Sequence, residues 1–148
     1  MRIVLQRVAR ASVRVGGETV AEIGPGLVLL VAAGAEDGFG EYDRLAEKVF
    51  HLRVFPDEQG KMNRSLSEVG GEILVVPQFT LYGDVRRGRR PSFTGAAPPE
   101  IAADRVEAFA RTLEARGATV RRGAFREHME VELVNDGPVT LLIDAADL

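Results

Sequence analysis

The side chains that most often do chemistry are scarce in this sequence. There is no cysteine among its 148 residues, which removes disulfides, thiolate nucleophiles and cysteine-ligated zinc. Its two histidines, His51 and His128, are too few for a multi-histidine metal site. A Ser-His-Asp triad would need one of them as its base. His51 falls on a predicted helix, His128 begins a predicted strand, and no serine sits in a G-x-S-x-G elbow. The 22 acidic residues show no spacing that singles out a carboxylate pair. Gly24-Pro25-Gly26 follows a strand but precedes another strand, not the helix that a phosphate-binding loop requires. What remains is chemistry done by the backbone and by hydroxyl, amide and guanidinium groups.

Three segments depart from ordinary patterning. In Pro77-Gln78-Phe79-Thr80-Leu81 an apolar strand runs into a proline and then into polar side chains. The segment reads either as a solvated strand end or as a terminus offering backbone N–H groups and a hydroxyl to a ligand; preorganised N–H groups can hold an oxyanion. Asn135-Asp136-Gly137-Pro138-Val139-Thr140 lies between two strands and reads first as a hairpin turn, with a Gly-Pro bond that is a candidate for the cis form. Arg86-Arg87-Gly88-Arg89-Arg90, followed by Pro91-Ser92-Phe93, concentrates four guanidinium groups in five residues. That run is either a solvated charge cluster or a phosphate contact, for which the planar fork of arginine is suited.

The elements that must position these segments follow from periodicity. Strands are expected at Arg2–Val8, Ser12–Val15, Glu18–Ile23, Leu27–Ala33, Glu72–Phe79, Ala118–Arg122, His128–Val134 and Val139–Ile143. Gly16-Gly17 suits a tight hairpin. Helical spacing covers Glu41–Leu52, through Leu45, Val49 and Leu52, and Pro99–Arg116, through Ala102, Val106, Phe109 and Leu113. Lys61–Gly71 and Gly83–Pro98 read as connections. The expected architecture is a single α/β domain, residues 1–148, with a mixed sheet and two main helices. Hydrophobic content of 45% is enough for one core. The longest apolar run, Leu27–Ala33, is too short to cross a bilayer, and the N-terminus lacks a signal-peptide pattern, so a cytoplasmic protein with no membrane partner is expected. The net charge of −3 argues against broad attraction to nucleic acid, leaving the arginine run as a local exception.

Taken together, these tags resemble a known family. Leu5-Gln6-Arg7-Val8, Ala11-Ser12-Val13, Lys61-Met62-Asn63, Gln78-Phe79-Thr80-Leu81, Arg90-Pro91-Ser92-Phe93 and Asn135–Thr140 stand in the order and spacing of the D-aminoacyl-tRNA deacylases, nearly end to end. The resemblance implies the deacylase fold and a homodimer without metal or cofactor. The implied reaction is hydrolysis of the ester between a D-amino acid, or glycine mischarged on alanine tRNA, and the 3′ end of tRNA. It implies that Gly137 and Pro138 form a cis motif that enters the partner subunit's site and excludes L-amino acids. Arg7 and Asn135 would support that loop. Gln78, Phe79 and Thr80 would form the catalytic segment beside Pro77. The preferred chemistry has backbone N–H groups near Phe79 and Thr80 holding the oxyanion, with the 2′-hydroxyl of the adenosine helping to activate water. Thr80 as nucleophile is the alternative. Arg86, Arg87, Arg89 and Arg90 would contact tRNA, and DNA is not an expected partner.

One position departs from the family pattern. Serine is usual where this chain has Pro77, and proline there is shared with a sister family that edits L-alanine from threonine tRNA. Phe79 and Val139 both follow the D-specific pattern. The alternatives are that sister activity, a non-catalytic tRNA-binding module using the arginine run, and a metal-dependent hydrolase.

Overall fold

The computed structural model describes residues 1–38 and 40–148. Its organising elements are two strands with no polar side, β3 (Gly26–Ala32) and β6 (Glu72–Pro77). They pair in parallel from Gly26↔Glu72 to Val31↔Pro77. Leu27, Leu29 and Val31 of β3 and Ile73 and Val75 of β6 face one core, while Val28, Leu74 and Val76 face a second. Strands apolar on both faces need a layer on each side.

The first layer is helical. α1 (Glu41–His51) and α3 (Pro99–Ala115) pack together over the first core. The expected stripes are buried: Leu45 and Val49 on α1, and Ala102, Val106, Phe109 and Leu113 on α3. Pro99 opens α3 where a missing N–H costs nothing, and Gly117 lies just beyond its end with φ 97°. The stretch expected as a loop between Lys61 and Gly71 instead holds β5 (Met62–Arg64), paired with β4 (Phe55–Pro56), and the one-turn helix α2 (Leu66–Val69). α2 has a reciprocal cap: Glu68 accepts from the Ser65 N–H, at 2.6 Å, and the Ser65 side chain accepts from the Glu68 backbone N–H. Its shortness kept it below the reach of a periodicity argument.

The second layer is the sheet curling on itself. β1 is one strand (Arg2–Val15), not the two expected, and pairs with β3 through its first half and β2 (Glu18–Ile23) through its second. Ile3 and Leu5 face the helices, whereas Ala11 and Val13 face the second core. An irregularity around Ala9 and Arg10 shifts the register, and a one-residue slip reverses which face a side chain meets. β2 and the Met129–Leu133 stretch then close over Val28, Leu74 and Val76. The result is one mixed, nearly barrel-like sheet, completed by β7 (Thr119–Arg122) parallel to β6 and β8 (Glu130–Asp144) antiparallel to β1. No helix among the described residues is long and apolar enough to cross a membrane.

Arg122 ties β7 to α3 through Glu107 at 2.8 Å and Glu114 at 2.7 Å, and its hydrogen bonds hold both carboxyls below their ordinary value of 4.5. A depressed carboxylate contributes stability that is present above its unfolded value and lost as pH falls through the folded one. Arg122→Ala therefore lowers the urea midpoint at neutral pH, and its difference from wild type shrinks once the pH drops below 4.5. Urea titrations of both proteins across that range check this; a constant difference down to pH values at which both glutamates are protonated would contradict it.

Candidate active site

β6 runs between β3 and β7, but β7 ends first: its last partner is Val75, whereas the β3 pairing continues to Pro77. The Gln78 N–H donates to the Val31 carbonyl at 2.8 Å. N–H directions alternate along a strand, so position 77 faces the side that β7 has vacated, and proline removes no ladder bond there. The carboxyl end of a parallel strand is a favoured place for a ligand site in α/β sheets.

The chain does not continue as a strand to Phe79, as the patterning predicts. It turns into a single 3₁₀ turn, Phe79–Tyr82. Arg2 anchors that turn, donating to the Leu81 carbonyl at 2.9 Å while its guanidinium lies 4.6 Å from the Tyr82 ring centre. The first N–H groups of a helical turn have no partner within it. Those of Phe79 and Thr80 find no acceptor elsewhere among the described residues. The Thr80 hydroxyl is held by the Gln78 side-chain amide, which donates to it and cannot take its proton.

A cleft of about 750 Å³ opens at this turn, bordered by Pro77, Gln78 and Phe79 on one side and by Phe125 through Met129 on the other. Phe93, Pro98, Pro99 and Ala102 make it largely apolar. Phe125 was not singled out in the sequence, because an isolated apolar residue in a connection carries no periodic signal; Phe93 entered only through the Arg90–Phe93 tag and Met129 only through the expected strand His128–Val134. His128 lines the same cleft. His51 lies elsewhere, with Nδ1 3.4 Å from the Ser67 hydroxyl and Nε2 3.7 Å from Glu47, beyond the reach expected of a working acid–base set. No cluster of metal-ligating side chains occurs among the described residues.

The Asn135–Thr140 segment is not the hairpin turn that its composition suggests. β8 stays on the same partner before and after it: Asn135 pairs with Val8 and Thr140 with Gln6, so Arg7 alone faces residues 136–139. Those four residues bulge from a continuous strand. Asn135 closes the neck of the bulge, its side-chain oxygen accepting from the Val139 N–H at 2.8 Å and its amide donating to the Val139 carbonyl at 3.1 Å. Arg7, only 8% exposed, donates from Nε to the Asp136 carbonyl at 2.7 Å and from Nη1 to the Val54 carbonyl at 2.5 Å. At the exposed tip the Gly137–Pro138 peptide is cis.

The two motifs do not meet within one chain. Pro77 pairs with Val31, Val31 with Ile3, and Ile3 with Ile143, while the bulge lies four residues further along β1 at Arg7. Along the sheet, three strand spacings and four residues, a path of roughly 20 Å, lie between them.

The family model for D-Tyr-tRNA(Tyr) deacylase matches residues 4–144. The chain belongs to the D-aminoacyl-tRNA deacylase family. A D-aminoacyl-tRNA deacylase from Heliobacterium modesticaldum is 60% identical over 97% of this chain and 96% of its own. One from Symbiobacterium thermophilum is 60% identical over 98% and 96%. Among solved structures, the c-Myc DNA Unwinding Element Binding Protein superposes with a TM-score of 0.91 at 40% identity, covering 97% of this chain and 98% of that one. A probable eukaryotic D-amino acid tRNA deacylase shares the fold at 19% identity, with a TM-score of 0.80 over 96% and 97%. Membership makes the chain a hydrolase acting on the ester bond of aminoacyl-tRNA.

Removing the clamp tests the bulge directly. Asn135→Ala strips the acceptor from the Val139 N–H, and a lost hydrogen bond of about 1 kcal/mol corresponds to roughly fivefold faster amide exchange there. Hydrogen exchange read residue by residue should show that change confined to residues 136–140. Unaltered protection at Val139 would mean that Arg7 alone holds the bulge.

Proposed function

We propose that this protein hydrolyses the ester of D-aminoacyl-tRNA, with the reacting carbonyl seated at the first turn after β6. The observation that carries this reading is the pair of unpartnered N–H groups of Phe79 and Thr80 beside an apolar cleft. An ester carbonyl becomes an oxyanion in the transition state, and donors already fixed in place stabilise that charge without reorganising. Thr80 serves as a hydrogen-bonding residue. Its hydroxyl has the Gln78 amide as neighbour and no base, which leaves it poorly activated as a nucleophile. Water activated with the help of the substrate's 2′-hydroxyl supplies the nucleophile instead, and no metal or cofactor takes part. A soluble, cytoplasmic enzyme is the setting consistent with this substrate.

Chirality is assigned to the bulge of a second copy. Because a path of roughly 20 Å along the sheet separates its tip from the turn in one chain, Gly137 and Pro138 reach the substrate in trans, in a homodimer. A backbone wedge cannot change rotamer to admit the wrong enantiomer, and it still admits glycine, including glycine mischarged on alanine tRNA. Arg7 and Asn135 keep the wedge in register with β1.

Rates of purified protein on D-tyrosyl-tRNA, L-tyrosyl-tRNA and L-alanyl-tRNA(Thr) test the assignment. Preference for the D-ester is expected; faster release of L-alanine would transfer the chain to the sister activity despite Phe79 and Val139. Thr80→Ala should keep its rate within about tenfold, as expected for loss of one hydrogen bond, whereas near-complete loss in a folded protein would make Thr80 the nucleophile. At Gly137 an added Cβ would stand 2.6 Å from the Val139 nitrogen and 2.8 Å from its Cγ2, so Gly137→Ala must displace the tip. A displacement near 1 Å can cost about 100-fold in rate. Unchanged rates on both tyrosyl enantiomers would remove the wedge from the mechanism.

A further inference from the structure

The 3₁₀ turn that carries the Phe79 and Thr80 N–H groups is fastened at both ends, by bonds of different kinds. At its start the Gln78 N–H donates to the Val31 carbonyl at 2.8 Å, which ties main chain to main chain. Within it the Leu81 N–H donates to the Gln78 carbonyl at 3.2 Å, and the Gly83 N–H to the Thr80 carbonyl at 2.9 Å. The last carbonyls of a helical turn have no partner inside it. That of Leu81 accepts from Nη1 of Arg2 at 2.9 Å. The far end of the turn thus depends on one side chain.

A long arginine side chain needs something to aim it, and here that is Asp144. The two are cross-strand partners on β1 and β8, and Nε of Arg2 donates to Asp144 Oδ2 at 3.0 Å. The other carboxylate oxygen accepts from the Ala146 N–H at 3.1 Å, so the carboxylate is itself held in place. A guanidinium is planar, and fixing Nε therefore directs Nη1 at the Leu81 carbonyl while the face of the group lies over the Tyr82 ring. Tyr82 is wedged in turn against Gly34, where a Cβ would stand 2.6 Å from its hydroxyl. Burial, with Asp37 and Asp144 nearby, pushes the Tyr82 phenol up to about 12, so this residue supplies a surface and no proton carrier. Burial works against charge on Asp144, but the bonds from Ala146 and Arg2 outweigh it and hold the carboxyl below the ordinary carboxylate range.

We propose that Arg2 and Asp144 are positioning residues for ester hydrolysis: Asp144 orients Arg2, and Arg2 sets the tilt of the turn and with it the direction of the Phe79 and Thr80 N–H groups. The inference rests on the reading above, in which those groups hold the oxyanion. Neither Arg2 nor Asp144 borders the cleft, so neither contributes to holding the substrate there. Their effect falls on donors whose hydrogen bonds strengthen as charge develops on the carbonyl oxygen. A loss of that kind lowers kcat and leaves KM in place.

Steady-state rates on D-tyrosyl-tRNA, together with the main-chain amide resonances of the protein, test the pair. Asp144→Asn keeps an acceptor for the Ala146 N–H but loses the charge that aims Arg2, and kcat should fall about fivefold. Arg2→Gln, which frees the Leu81 carbonyl as well, should lower kcat about 10- to 100-fold, the range expected when donors are misplaced but not removed. KM should stay within about twofold in both. Because Asp144 acts through Arg2, the double variant Arg2→Gln/Asp144→Asn should be no slower than Arg2→Gln alone. The Phe79 and Thr80 amide signals should move in each single variant while those of Leu74 and Val75 in β6 stay fixed. An unchanged kcat, a loss carried wholly by KM, or a further loss in the double variant would overturn the assignment. Failure of wild type to cleave the ester would instead refute the proposed function, and unmoved Phe79 and Thr80 signals would still rule out the pair as the setting of the turn.

Discussion

Leu74 and Val76 point to one side of β6, Ile73 and Val75 to the other, and all four are excluded from water. Burying both faces of a strand demands two layers, and among the described residues there are only two long helices, which together cover one face. The other face is covered by the sheet itself, through a long β1 that changes face midway and carries β2 with it. Curling the sheet brings the end of β6 out beside the connection to α3, where the pairing with β7 has already stopped.

That arrangement explains why main-chain groups are left free at the proposed site. At the exit of β6 a proline needs no partner and the next turn leaves two N–H groups without acceptors. The surrounding cleft is walled by the start of α3 and by the Phe125–Met129 segment. Groups fixed by a sheet and a short turn move less than side chains on rotatable bonds, which is the preorganisation that the proposed oxyanion site requires. The same economy governs the β8 bulge. Its tip is exposed, yet a buried guanidinium on β1 holds the excursion and a side-chain amide ties its two ends together.

Much of this was legible in the sequence, and the lapses have particular causes. Both main helices were readable to within a residue at each end, since each presents an apolar stripe of 3.6-residue period. β3 and β6 were readable as unbroken apolar runs. α2 was missed because four residues are too few to show a period. The continuity of β8 was missed because Asn-Asp-Gly-Pro is a strong turn signal, and local composition cannot report that the strands on either side share one partner. Phe125 was missed, as was its convergence with Phe93 and Met129 on one cleft, because only the fold decides which side chains meet.

The sequence by itself determined the class of domain, the scarcity of side-chain chemistry, the family, and which segments depart from ordinary patterning, because all of these follow from residue type and local order. Tertiary structure decided what those segments are. It made Phe79–Tyr82 a turn with free N–H groups, Asn135–Thr140 a clamped bulge facing Arg7, and Arg86 a partner of Asp84 while its neighbours remained unpaired. It also set two strands, β3 and β1, between the turn and the bulge in one chain. The physical reason is that hydrogen-bond satisfaction and burial depend on partners distant in sequence. A donor is free, or a guanidinium unpaired, only with respect to everything the fold brings near it.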